Sequence, residues 1–320
     1  MSYVQAYAAS LRDPATYWKE QAEALNWFKA PEQLLNQTEQ GSYNWFADGE
    51  LNISYLALDV QIAEGRGDQV ALYYDSPVTQ TKEAITYTTL LQRVELFAGA
   101  MQRLGVIKGD RVVIYMPMIP EAAVAMLACA RIGAVHSVVF GGFAANELAI
   151  RIDDAEPKLI LTASCGIEFD KALAYKPLVD KAIDLAAHKP EYTIVCQRPR
   201  LQADLNPSRD LDWYEFQQGA EPAAAVPVKG TDPLYILYTS GTTGQPKGIV
   251  RDTGGYAVAL KYALQHVYGM QAGDVWWGAS DIGWVVGHSF IVYGPLMGAA
   301  ALFFMKASRY APRMPGLSGV

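Results

Sequence analysis

The sequence predicts an α/β fold of mostly parallel sheets flanked by helices, on three observations. Arg111-Val112-Val113-Ile114-Tyr115-Met116 is a continuous apolar run opened by the turn Gly109-Asp110 and reads as a buried strand. Pro120 then sits in the favoured first turn of a helix over Glu121–Ile132, stopped by Gly133 and apolar nearly all round, so it is expected to be buried. Ala134–Phe140 is a second apolar run, and strand, helix, strand with short connections is the unit that builds parallel sheets.

The remaining elements follow in chain order. Residues 14 to 30 carry Tyr17, Trp18, Ala22, Leu25, Trp27 and Phe28 among charged residues, an amphipathic helix that Pro31 ends. Trp45–Asn52 marks a turn into a further helix near Ile53–Ala63, and its aromatics read as core staples. Val70–Tyr74 and Ile85–Tyr87 flank a polar turn with Pro77, a hairpin pattern. Thr88 or Thr89 caps a helix with the apolar face Leu90, Val94, Phe97, Ala98, Met101 and Leu104, ended by Gly105. After Gly141-Gly142-Phe143, Asn146–Asp154 reads as a helix, and Leu159–Ala163 and Tyr192–Cys196 as strands. Residues 198 to 233 are rich in Pro, Ala and charge and read as a surface connection. Leu234–Leu237 is a buried strand, Gly255–Tyr268 a helix, Val275–Ser280 a strand and Ala299–Phe304 the last strand. No internal repeat is visible.

The strand at Leu234 runs into Tyr238-Thr239-Ser240-Gly241-Thr242-Thr243-Gly244-Gln245-Pro246-Lys247-Gly248. Glycines let backbone N–H groups converge on oxyanions, hydroxyls add donors and one lysine adds positive charge, a layout suited to triphosphate. A flexible loop of ordinary function has a similar composition, but the ordered string is far less expected by chance. It is not a Walker A loop, because Gly244 is followed by Gln-Pro-Lys-Gly and Pro246 disfavours a helix start there.

Composition narrows the classes. The chain has 320 residues, 51% hydrophobic and 18% charged, which is globular and long enough for one large or two ordinary domains. A net charge of −7 gives no electrostatic reason to expect nucleic acid or an anionic membrane as partner. Cys129, Cys165 and Cys196 suggest neither a disulfide framework nor a zinc site, and no metal ligand set is assigned. The start, Met1-Ser2-Tyr3-Val4-Gln5, has no secretory pattern and no run reaches membrane-spanning length, so a cytoplasmic location is expected.

The string from Tyr238 to Gly248 resembles the nucleotide-binding signature of the adenylate-forming superfamily, which includes the acyl-CoA synthetases. Gly248-Ile249-Val250-Arg251-Asp252-Thr253-Gly254-Gly255-Tyr256 and Ser280-Asp281-Ile282-Gly283-Trp284-Val285-Val286-Gly287-His288-Ser289 resemble its short-chain branch. Arg251-Asp252 and Val285-Val286 look more like propionyl-CoA synthetases than acetyl-CoA synthetases. The resemblance runs from about Tyr17 to Phe304. It implies an incomplete N-terminal domain of the adenylate-forming fold, divided as a helical region at 1–65, a partial adenylation domain at 66–304 and a tail at 305–320.

The implied reaction activates propionate or acetate with ATP to an acyl-adenylate, then transfers the acyl group to CoA, with Mg²⁺ assisting. The implied ATP-binding residues are Thr239, Ser240, Gly241, Thr242, Thr243, Gly244 and Lys247, of which Thr239 and Lys247 are also expected to be catalytic. Trp284, Val285, Val286 and Gly287 fit the wall of an acyl pocket, although a buried apolar turn has the same composition. Gly141, Gly142, Phe143 and Lys171 are the implied CoA contacts, while a tight strand-to-helix turn is the commoner reason for Gly-Gly. His288 reads as a structural histidine, and Asp281 either orients its loop or caps the next helix. The partners implied are small molecules.

Two departures concern CoA. Many acetyl-CoA synthetases carry Arg-Gly-Gly-Arg/Lys where this chain has Glu168-Phe169-Asp170-Lys171, and a threonine after the Trp-Val pair is Val286 here. A third concerns the end. The family continues with a Thr-Glu motif, a ribose-holding Asp, a hinge and a mobile domain bearing a catalytic lysine. After Phe304 it expects Tyr-Glu-Gly, whereas this chain reads Met305-Lys306-Ala307. TAT-GAA-GGC read one base late gives ATG-AAG-GC, so Met305–Val320 is expected to be a frameshifted tail on a truncated synthetase. Little or no turnover is then expected, and a remnant that at most binds ATP is the alternative.

Overall fold

The computed structural model describes residues 3–168, 171–239 and 246–305. The chain opens with α1 (Tyr3–Arg12) and α2 (Pro14–Glu23), the latter capped by Asp13, whose Oδ1 accepts the Thr16 N–H at 3.1 Å. The expected helix over 14 to 30 therefore ends about two turns early. Trp27 donates its indole N–H back to Ala22 O at 2.7 Å, and the chain beyond it pairs with Glu50 instead of continuing the helix. A small hairpin of β1 (Leu35–Gln37) and β2 (Tyr43–Trp45) precedes β3 (Glu50–Leu51). The helix expected at Ile53–Ala63 is two, α3 (Ile53–Ala57) and α4 (Asp59–Ala63), broken where Leu58 leaves helical geometry at φ −123° and ψ −63°. Asn52 caps the first and donates to Ala130 O and Arg131 O at 2.9 and 3.0 Å, fastening this region to the main domain.

The hairpin is β4 (Val70–Ser76) with β5 (Thr81–Thr86), antiparallel as expected. It leads into α5 (Tyr87–Arg103), whose cap is neither Thr88 nor Thr89. Thr86 is the extended residue, and its Oγ1 accepts the Thr89 N–H at 3.2 Å. The expected strand–helix–strand unit is β6 (Arg111–Tyr115), α6 (Pro120–Arg131) and β7 (Val135–Val138), with Gly133 at φ +72° where the helix stops. Every residue of α6 except Glu121 is buried, as its all-round apolar sequence requires. α7 (Ala145–Ala155) and β8 (Leu159–Ala163) follow. Next come a hairpin of β9 (Cys165–Glu168) and β10 (Lys171–Ala174), then α8 (Lys176–Leu185) and β11 (Tyr192–Cys196). The hairpin and α8 have no counterpart in the sequence reading.

Residues 198 to 233 are more than a surface connection. β12 (Asp210–Asp212) extends the sheet in parallel beside β11, and β13 (Val228–Lys229) pairs with β3. Trp213 and Phe216 turn inward, the former stacked on Phe97 with ring centroids 4.0 Å apart. β14 (Pro233–Thr239) and β15 (Lys247–Asp252) form an antiparallel pair. α9 (Gly254–Tyr262) continues as a wider turn at Ala263–Val267, and β16 is only Val275–Trp276, where Trp276 donates its indole N–H to Phe290 O at 2.7 Å. α10 (Val285–Gly287), a wide turn at His288–Tyr293 and α11 (Gly294–Met297) lead to β17 (Ala301–Met305). Met305, expected to begin the tail, pairs with Asp75 inside that strand; Lys306–Val320 lie outside the described residues.

Two sheets result. The larger has the order β12-β11-β8-β6-β7-β14-β15, parallel throughout except for β15, and the smaller has the order β16-β17-β4-β5. The fully buried strands Leu159–Ala163 and Val135–Val138 suit a parallel sheet covered by helices on both faces. The mostly parallel α/β class is as the sequence predicts. The order also carries all the βα connections of the larger sheet to one edge, where ligands of such sheets bind.

Candidate functional site

At that edge three parts of the chain come together: the end of β14 at Thr239, the turn after β7 and the segment Asp281–Gly287. β14 lies parallel to β7, with Tyr235 beside His136, so Thr239 ends its strand on the same side of the sheet as Phe140. Thr239 and Lys247 are Cα partners at the end of the β14–β15 ladder where the chain crosses from one strand to the other, and both are exposed. The connection between them therefore starts and finishes at one point of the sheet edge. Ser240, Gly241, Thr242, Thr243 and Gly244 lie outside the described residues.

The turn after β7 is held from below. Tyr115 directs its hydroxyl to Gly141 O and Phe143 O at 3.1 and 2.8 Å. A Cβ on Gly141 would lie 2.4 Å from the Tyr175 hydroxyl oxygen and one on Gly166 equally close, so both glycines make room for that ring. Close packing thus explains Gly141. A cavity of about 190 Å³ opens above it, lined among others by Met116, Phe140, Gly142, Glu168 and Asp281. Lys171 pairs with Glu168 across the β9–β10 hairpin and is exposed, but it is Glu168 that reaches this cavity.

Arg151 ties the turn to the loop strand. It is buried, with its guanidinium 4.7 Å from the centroid of the Phe143 ring and 5.4 Å from that of Tyr238. Both distances are in the range of cation–π contacts. Its Nη1 also donates to Glu147 Oε2 at 3.0 Å, one helical turn away. Tyr238 donates its hydroxyl to Asp154 Oδ2 at 2.6 Å, and burial together with that carboxylate pushes the phenol upward, keeping it protonated. Sequence reasoning missed Arg151, Tyr115 and Tyr175. Only the Glu147–Arg151 spacing on one helix face offered a signal.

The third segment leans on the second. Trp284 lies 6.0 Å from Phe140 between ring centroids, and a Cβ on Gly283 would meet Phe140 Cα at 2.9 Å. Asp281 Oδ1 accepts the Gly283 N–H at 2.8 Å while α10 has no side-chain cap among the described residues, so Asp281 orients its loop. Gly287 is buried where a Cβ would meet Asp281 O at 2.3 Å. Trp284, Val285 and Val286 stand 47%, 45% and 41% exposed, side by side along an open surface.

His288 is fully buried, its Nδ1 3.0 Å from Trp284 O and its ring stacked on His136 at 5.6 Å and 12°. Burial lowers its pKa to about 4, so the ring is neutral and Nδ1–H donates. Its Nε2 is buried without a hydrogen-bond partner among the described residues. Cys129, Cys165 and Cys196 are free and buried. Among the described residues no group of three or more His, Cys, Asp or Glu side chains could hold a metal ion, and no helix is long and apolar enough to cross a membrane.

Comparison with known proteins agrees with this architecture. The profile of the AMP-binding enzyme family matches residues 60–316, and that of the acetyl-coenzyme A synthetase N-terminus matches residues 3–57. An uncharacterized protein of Pseudomonas aeruginosa is 63% identical over 95% of this chain and 49% of its own length. The human mitochondrial acyl-CoA synthetase short-chain family member 3 is 51% identical over 92% of this chain and 43% of its own. The acetyl-coenzyme A synthetase of Mesorhizobium japonicum is 43% identical over 97% and 48%. The acetoacetyl-CoA synthetase of Streptomyces lividans superposes with a TM-score of 0.84 at 27% identity, covering 93% of this chain and 45% of that one. The chain thus spans about half the length of the curated relatives it matches. With its central sheet, its N-terminal segment and its sequence all in agreement, the chain belongs to the AMP-binding enzyme family, and it is similar to short-chain acyl-CoA and acetyl-coenzyme A synthetases.

Proposed function

We propose that this chain carries the ATP-phosphate side of a short-chain acyl-CoA synthetase acting on propionate or acetate. In the first step a carboxylate oxygen attacks the α-phosphorus of ATP and pyrophosphate leaves. In the second the CoA sulfur attacks the acyl carbonyl and AMP leaves. Charge accumulates on phosphoryl oxygens in the first step, so aimed donors and a cation are what the protein supplies. Thr239 and Lys247 fill those roles, with Ser240, Gly241, Thr242, Thr243 and Gly244 as the connecting phosphate cradle. Mg²⁺ would enter bound to the nucleotide phosphates. Trp284, Val285, Val286 and Gly287 form one wall for the acyl chain, and Gly141, Gly142, Phe143 and Lys171 border the CoA path.

The observation that supports this reading best is the Thr239–Lys247 ladder pair at the carboxyl end of β14, on the same edge as the Phe140–Phe143 turn and the Asp281–Gly287 loop. The test is ATP binding by the 320-residue chain and its Lys247→Ala variant. A charge-assisted hydrogen bond is worth about 1.5–3 kcal/mol, so the variant binds at least about tenfold more weakly. Equal binding by the two chains would refute the role of Lys247. One observation favours a second reading, binding without turnover. Trp284, Val285 and Val286 of the acyl wall are 41% to 47% exposed in this chain, so water is not excluded from that wall. Release of pyrophosphate that depends on propionate and ATP separates the two.

A further inference from the structure

We propose that Asp154 and Arg151 of α7, neither of them in the phosphate loop, are positioning residues for nucleotide binding, acting through Tyr238 to fix the strand ends that carry Thr239 and Lys247. The ligand rests on the synthetase reading, to which these two side chains are added at one remove from the phosphate.

Register makes Tyr238 the point of control. On the β14–β15 ladder Tyr238 and Gly248 are Cα partners, one rung from Thr239 and Lys247. Each of those two residues is joined to that rung by one planar peptide, so holding the rung limits the directions in which both side chains leave the sheet. The ladder needs holding. β15 is the last strand of the larger sheet and Lys247–Arg251 are all exposed, so no described strand braces its outer side. The terminal rungs of such a pair open first unless side chains tie them down.

α7 supplies the tie. Glu147, Arg151 and Asp154 stand at i, i+4 and i+7, on one face of the helix. Asp154 Oδ2 accepts the Tyr238 hydroxyl at 2.6 Å, the length of a charge-assisted bond. Arg151 lies 5.4 Å from the centroid of the same ring, and is itself kept in place by Glu147 Oε2 at 3.0 Å and the Phe143 ring at 4.7 Å. Gly248 leaves room for the contact: a Cβ there would lie 3.2 Å from Tyr238 Cε1 and 3.4 Å from Asp154 Oδ2. The rung is thus bare of side chain on one strand where the phenol of the other reaches the carboxylate. Packing alone would be served by a phenylalanine, whereas a hydroxyl bonded to a carboxylate fixes direction as well as distance.

Calorimetric titration of the 320-residue chain with ATP, with urea unfolding of every variant alongside, tests these roles. Tyr238→Phe keeps the ring and deletes only the donor, and it should weaken ATP about tenfold. Asp154→Ala should weaken ATP by the same factor, and the double variant by no more than either alone, because both break one bond. Asp154→Asn retains an acceptor and should restore most of the affinity. Arg151→Met, which removes the cation from the ring, should weaken ATP about threefold. A purely structural role lowers the urea midpoint and leaves the ATP affinity of the folded chain unaltered; that result, or additive losses in the double variant, overturns the proposal. Retained ATP affinity in Lys247→Ala, or no ATP binding by the unaltered chain, overturns the synthetase reading and the positioning roles with it. Loss in Lys247→Ala with none in Tyr238→Phe overturns the positioning roles alone.

Discussion

Replacing Arg131 by methionine is the sharpest test of how the N-terminal region is joined to the main domain. The Arg131 side chain is 2% exposed at the end of α6. Its Nη1 and Nη2 reach the two oxygens of Asp59 in α4 at 2.8 and 3.1 Å, Nη2 also reaches Glu95 in α5 at 2.7 Å, and Nε donates to Ala223 O at 2.6 Å. One guanidinium thus holds four segments. Methionine restores the apolar stem but leaves two carboxylates and a carbonyl without their donor. Breaking a buried pair costs about 3–5 kcal/mol. The Asp59 and Glu95 side chains keep 22% and 26% of their surface and regain some water, which puts the loss near the lower bound, about 3 kcal/mol. Urea unfolding followed by circular dichroism reads this as a midpoint lowered by about 1 M for a slope of about 3 kcal/mol/M. Adding Asp59→Asn and Glu95→Gln to Arg131→Met recovers part of the loss, because the stranded charges are gone. A loss under about 1 kcal/mol, or no recovery, refutes the claim that stranded charge is what the arginine prevents.

Trp213→Ala removes the ring stacked on Phe97, and urea unfolding should show a loss of about 3–5 kcal/mol; a change within error would return residues 198 to 233 to a surface role. Gly141→Ala forces a methyl against the Tyr175 ring, so calorimetry should show a lower melting temperature, and Tyr175→Ala in the same chain should relieve the clash. Stability should also fall as pH drops from about 6.5 to about 4. The unfolded chain protonates His288 below its ordinary 6.5, whereas the folded chain holds it neutral down to about 4, so the unfolded state gains protons first. The slope is at most about 1.4 kcal/mol per pH unit for each such histidine. His136 shifts in the same direction through burial, and His288→Asn should make the urea-midpoint profile shallower; an unaltered profile counts against a neutral buried His288.

The strands and helices with a full apolar period, from Tyr87 to Ala163, were legible because each buries its own pattern. What was hidden depends on neighbours. All of Lys247–Arg251 is exposed, so β15 shows no inward and outward alternation and exists through its ladder with β14. Trp213 and Phe216 sit among polar residues, and their burial is set by Phe97, more than a hundred positions away in sequence. At the candidate site, residue type and order singled out Thr239 and Lys247, and the ladder of β14 with β15 sets the two opposite each other. Arg151, Tyr115 and Tyr175 act through packing across elements, which no local string records.

Arg151 lies against both Phe143 and Tyr238, so those two aromatics share a partner without being neighbours in sequence. A substitution at either changes what the guanidinium prefers at the other, and coupling of about 0.5–3 kcal/mol is usual for residues joined in this way. In a set of diverging relatives the consequence is statistical. Positions 143 and 238 should change together more often than apart wherever position 151 stays arginine, and should drift independently once it does not.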